Sequence, residues 1–134
     1  MAKIFSKKEI LKVKSQILEP SNMGEPVSAD DYLHRGTAYY ARGEYEAAEA
    51  DLRSLISKFG NQTDAYYVLG MVHKAAGRKV EATAAFNQVL QLLNTSTGEK
   101  STRTDMLRRL ALGHVNMINQ GDWNLEKEIW QRIP

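Results

Sequence analysis

Three histidines, His34, His73 and His114, are the side chains of this sequence best suited to acid–base or metal chemistry. Asp30 and His34 stand at i and i+4, which puts two potential ligands on one face of a helix. No third ligand follows nearby, whereas a zinc site takes three or four protein donors. No metal and no cofactor is therefore expected. The reading is that His73 fills a packing slot while His34 and His114 face solvent. Cysteine is absent, which excludes thiol nucleophiles, disulfides and thiolate metal sites. Serine and threonine mostly fall in loops and caps. The chain contains no G-x-S-x-G, no phosphate loop G-x4-G-K-[ST] and no H-E-x-x-H. The carboxylate pairs Asp30/Asp31 and Glu46/Glu49 belong to helix starts and exposed faces, where they complement the helix dipole. No catalytic constellation emerges, and a non-catalytic protein is expected.

Charge gives a second set of candidates. Lys3, Lys7, Lys8, Lys12 and Lys14 crowd the amino-terminal segment, against Glu9. A basic amphipathic helix can lie on an anionic membrane or bind nucleic acid. Here Lys7 and Lys14 interrupt the apolar arc, so a solvated helix is the reading. The whole chain carries a net charge of +2 over 134 residues, too even for a nucleic-acid footprint. Its apolar runs are far shorter than the roughly 18 residues of a membrane span. The opening MAKIFSKKEILKVK lacks the apolar stretch and cleavage site of a signal peptide. The expectation is a soluble, cytoplasmic chain with no membrane insertion and no nucleic-acid partner.

The elements that position these residues follow from an internal repeat. Sliding the chain along itself brings Tyr32 onto Tyr66, Gly36 onto Gly70, Ala41 onto Ala75, Gly43 onto Gly77, Ala48 onto Ala82, Leu52 onto Phe86 and Leu55 onto Val89, all at one offset. Within each window the apolar and small residues recur at helical spacing. Tyr32, Gly36 and Tyr39 share one face, and Gly43 then turns the chain. Ala48, Leu52, Leu55 and Ile56 run down a second helix that Gly60 ends. Tyr66, Gly70 and His73, then Gly77, then Ala82, Phe86, Val89 and Leu93 repeat this plan. Gly36 and Ala48 are small because two helices cross closely there. Each window is predicted to be an antiparallel helix pair.

The motifs Y32-x2-R35-G36-x2-Y39…A48-x3-L52 and Y66-x2-L69-G70-x2-H73…A82-x3-F86 resemble the tetratricopeptide repeat, W-x2-L-G-x2-Y…A-x3-F…P. Arg35 stands where the pattern has leucine, which suggests an exposed edge. His73 replaces tyrosine, Lys79 stands where the first window has Tyr45, and Gly60 and Asn94 replace the closing proline. The resemblance implies an all-α, short right-handed solenoid. Residues 1–28 are expected to form a basic amphipathic helix and linker, with Ser6 and Glu9 as a capping box. Residues 29–134 form the repeat domain: repeat one at 29–62, repeat two at 63–96, and a degenerate third at 97–134. The last comprises a loop to about Ser101, a long helix, and a capping helix after Asp122 in which Trp123, Leu125, Ile129, Trp130 and Ile133 share one arc.

In this family the first helix of each pair lines a ligand groove. The resemblance carries that role to Leu33, Thr37 and Tyr40, to Tyr67, Met71 and Lys74, and to Leu110, His114 and Met117. This stripe is rich in tyrosine and methionine, which suit adaptable apolar contacts. The family's clamp for chaperone tails needs lysines and asparagines in these slots, which hold Leu33, Thr37, Tyr67 and Met71 instead. The expected function is protein–protein interaction: binding an extended or helical segment of a protein or peptide partner, with Lys74 orienting an acidic group. A narrower form is a small chaperone or assembly factor, similar to three-repeat secretion chaperones. The alternative is a structural protein that self-associates as a homo-oligomer.

Overall fold

The computed structural model describes residues 19–95 and 101–123. Among them are five α-helices and no strand: α1 (Ala29–Ala41), α2 (Tyr45–Phe59), α3 (Thr63–Ala75), α4 (Lys79–Thr95) and α5 (Thr102–Gln120). A short 3-10 turn, Pro20–Asn22, precedes α1. The all-α expectation holds. The amino-terminal helix and the capping helix beyond Trp123 fall outside the described residues.

Local chemistry sets the helix ends. Ser28 caps α1: its Oγ accepts from the Asp31 N–H, and Asp31 accepts from the Ser28 N–H, both at 3.1 Å. The Ser28 N–H and the Val27 N–H, which both donate to the Asp31 carboxylate, hold that carboxyl below its usual range. Ser101 and Thr104 form the same box at the start of α5. The turns out of α1 and α3 are alike. In each, a glycine at positive φ, Gly43 at 78° and Gly77 at 82°, lets the next residue donate five positions back. These bonds are Glu44 N–H to the Tyr39 carbonyl and Arg78 N–H to the His73 carbonyl. This left-handed glycine closure satisfies the last carbonyls of the helix and reverses the chain.

The helices pack in sequence, α1 on α2, α2 on α3, α3 on α4 and α4 on α5, and α1 also touches α3. Ala48, Leu52, Leu69, Val72 and Ala85 form the core between the two pairs. Ala82, Phe86, Val89, Leu93 and Ala111 form the core shared with α5. Tyr32, Leu55 and Ala65 close the core at the start of the first pair.

Polar ties connect the layers. Glu49 on α2 accepts from Arg78 at 2.7 Å and from Arg53 at 2.9 Å. Burial pushes its carboxyl up, but the two guanidinium groups outweigh it and the net shift is downward. His73 is 2% exposed and fills the packing slot assigned to it. Arg35 corrects the sequence reading of an exposed edge. It forms a bidentate pair with Asp51 of α2, at 2.8 and 2.7 Å, and Asp51 is itself buried. The fork geometry and the paired carboxylate hold the guanidinium firmly charged.

Candidate functional site

Leu33, Thr37 and Tyr67 line one cleft between α1 and α3, of about 490 Å³. Ala38 and Val68 deepen its apolar floor, and Met23, from the segment ahead of α1, forms one wall. His34, Asp64 and Arg103 supply the polar rim, where Arg103 of α5 pairs with Asp64 of α3. The strap 19–27 that carries Met23 is tied to α1, because Glu19 pairs with Arg42 at 3.1 Å. The Thr37 hydroxyl donates to the Leu33 carbonyl at 2.7 Å, so its proton is used within its own helix.

The remaining stripe residues have other surroundings. Tyr40 is half-buried, and its ring lies 6.2 Å from Tyr45. Met71 is half-buried against the α4–α5 core. Leu110 is half-buried and Met117 is 39% exposed. His114 departs furthest from the solvent-facing expectation, at 7% exposed. Its ring stacks on Phe86 with centroids 4.7 Å apart and planes 12° apart, and Trp123 meets it edge-on at 4.9 Å. Tyr67 and Lys74 both reach it: the Tyr67 hydroxyl to Nε2 and Lys74 Nζ to Nδ1, each at 3.1 Å. Lys74 is therefore engaged inside the α3–α5 contact. Its spacing marks a basic stripe residue, but its partner lies on a helix of the next layer, which no local periodicity shows.

Burial, with Lys74 adding to it, pushes the His114 pKa down to about 4. The neutral ring is the form that packs, while the unfolded chain titrates near 6.5. A depressed folded value means the stabilisation is full above about pH 6.5 and is lost as pH falls toward 4. We expect about 2–3 kcal/mol to disappear across that window. Thermal melts from pH 8 to pH 4 check this. His114→Gln should flatten the slope, and an unchanged slope in that variant would refute the assignment.

The cleft residues that the stripe did not include have clear reasons. Val68 is the repeat-two counterpart of His34, and the repeat makes it legible as a stripe neighbour. Met23 lies in a linker without periodicity, and Arg103 reaches Asp64 from the third layer. Among the described residues no cluster of three or more His, Cys, Asp or Glu could hold a metal ion. No helix among them is long and apolar enough to cross a membrane.

The paired helices, their shared cores and their matching turns define a short helical-repeat solenoid. A family model described as tetratricopeptide repeat matches residues 32–61, the body of the first pair. Over those residues the chain is similar to a tetratricopeptide repeat. A repeat of this kind suggests a protein–protein interaction module. No curated protein and no solved structure matches the chain.

Proposed function

We propose that the chain binds a segment of a partner protein in the cleft between α1 and α3. The observation that carries this reading is the cleft's lining: Met23, Leu33, Ala38, Val68 and Tyr67 form an apolar pocket open at a polar rim. Apolar clefts with a few placed polar groups are the usual form of a binding site. A partner side chain enters the pocket, and the flanking stripe of Tyr40, Met71, Leu110 and Met117 extends the contact. A small chaperone or assembly factor uses such a site by shielding an apolar segment of its client.

The test needs variants that alter the cleft and spare the core. Tyr67 and Met71 pack into that core, so truncating them mixes stability with binding. Thr37 is exposed on the cleft wall and Met23 is 40% exposed. Thr37→Trp fills the pocket and Met23→Ser removes a wall. Each should weaken partner binding by about 2 kcal/mol, the scale of an interface hot spot. Their melting curves should stay within about 0.5 kcal/mol of the parent, as surface changes do. Calorimetry against the captured partner and thermal melts check the two halves. If Thr37→Trp instead dissociates a homo-oligomer seen by light scattering, the structural reading replaces this one.

A further inference from the structure

We infer that residues 124–134 of this chain cover the α5 end of the stripe, along Leu110, Met117 and Met106, in the free protein. The inference goes beyond the binding reading and does not depend on it. The cleft between α1 and α3 keeps its own lining, while a partner that extends onto α5 first has to displace these residues.

The repeat defines the seat. Tyr67 and Lys74 of α3 hold His114 of α5, each at 3.1 Å. Leu33 and Tyr40 stand at the same two positions on α1, and they pack on the core to which α3 contributes Leu69 and Val72. The first helix of each pair thus uses these two positions to seat the first helix of the next layer. Aligning Gly113 with Gly70 puts Leu110 and Met117 at the same two positions on α5. No described helix follows α5 to take that seat. Met117 is 39% exposed, and Met106, one turn before Leu110, is 58% exposed.

The way the chain leaves α5 points to the occupant. Gly121, at a φ of 78°, reverses it, and Asn116 Nδ2 donates to the Trp123 carbonyl at 3.1 Å. The Trp123 ring fills the space beside Gly113 and meets His114 edge-on. Gly113 lies three positions after Leu110 and four before Met117, on their face of the helix. The chain is therefore delivered to the edge of the seat. From Gly113 to Met106 is about 10 Å of helix, and residues 124–134 as a helix would reach about 16 Å. Leu125, Ile129, Trp130 and Ile133 supply one apolar arc. The charges of the segment, Glu126, Lys127, Glu128 and Arg132, cancel, so apolar contact decides the fit. A second copy is a poorer occupant. Three side chains offer on the order of a few hundred Å², against the roughly 800 Å² per partner of a stable interface. The amino-terminal segment leaves from Glu19, held on Arg42 of α1 two layers away.

Because the chain has no cysteine, Gln131→Cys places a nitroxide at one point of the full chain, off the apolar arc. Methyl-labelled methionines report its proximity by nuclear magnetic resonance. The Met106 and Met117 signals should be lost with the nitroxide oxidised and return when it is reduced, while Met23 keeps its signal. Adding Leu125→Ser and Ile129→Ser should restore both signals and raise the binding of an anilinonaphthalene sulfonate dye several-fold. If that variant misfolds, the measurement on the nitroxide protein alone decides. Undiminished Met106 and Met117 signals overturn the inference and leave the cleft reading standing. Mixing methyl-labelled copies without nitroxide and unlabelled copies with it separates the source. Loss of signal in that mixture assigns the segment to a second copy, which also overturns the inference.

Discussion

Arg35→Leu is expected to destabilise the protein by about 3 kcal/mol, and Asp51→Ala added to it should restore most of that loss. The reason is the asymmetry of the pair. Asp51 is 5% exposed, so removing Arg35 strands a carboxylate without its partner in an apolar layer. Removing Asp51 alone leaves Arg35 with a side chain 20% exposed and Glu25 at 3.9 Å, so that cost should be smaller, about 1–2 kcal/mol. The double variant has no charge left to strand. Repeat two already contains this solution, because Leu69 and Ala85 occupy the places that Arg35 and Asp51 hold in repeat one. Both are buried, at 5% and 7% exposed. Urea denaturation of the parent, the two single variants and the double one closes the cycle. Additive single effects would show that the pair is not a coupled unit.

That pair also marks a boundary of what is legible in the sequence. The helix pairs are written in local signals: glycines at the turns, alanines at the crossing, and apolar spacing that recurs from one pair to the next. Such signals act within one or two turns, so Gly43 and Gly77 read as chain reversals. Arg35 escapes that reading because its burial depends on Asp51, a carboxylate on another helix. His114 escapes it for a related reason. Aligning Gly113 with Gly70 fixes the helical phase of His114 but not which neighbours cover it. Phe86 and Trp123 cover it, and Lys74 and Tyr67 bond to it. Within the candidate site, Leu33, Thr37 and Tyr67 follow helical period and meet in the cleft. Met23 and Arg103 come from a strap and from the third layer, where no period reaches. Local pattern thus specifies the helices and their turns, while the polar contacts between helices, inside the first pair as at Arg35 and across to α5 as at His114, join residues far apart in sequence.

Within the second pair the crossing at Gly70 is tight, and Gly70→Leu is expected to cost about 3 kcal/mol or more, the upper end of overpacking effects. A Cβ at Gly70 would lie 2.7 Å from Phe86 Cε1, inside van der Waals contact. Relief would require Phe86 to move, yet its side chain is fully buried. One of its faces is held by the His114 ring at 4.7 Å, so a shift of the phenyl ring carries His114 and the α5 contact with it. Gly36, the same position in repeat one, provides the control. A Cβ there meets Leu52 Cγ at 3.2 Å, the branch point of an aliphatic side chain that can give by a few tenths of an ångström. Alanine also gains about 1 kcal/mol over glycine in a helix interior. Gly36→Ala should therefore lie within about 0.5 kcal/mol of the parent, because the two effects offset. Gly70→Ala should lose about 1–2 kcal/mol despite the same propensity gain, and Gly70→Leu should lose the cooperative melt of repeat two. Thermal melts of the three variants, each in a Trp130→Phe background that leaves Trp123 as the single tryptophan, followed by circular dichroism and tryptophan fluorescence, read this directly. Trp123 contacts His114 and therefore reports the α5 joint. In Gly70→Leu its emission should shift at a lower temperature than the helical signal falls, because the ring stack yields before the helices do. Equal losses for Gly36→Ala and Gly70→Ala would mean that Phe86 is free to move, and that the aromatic stack does not fix the distance between α3 and α4.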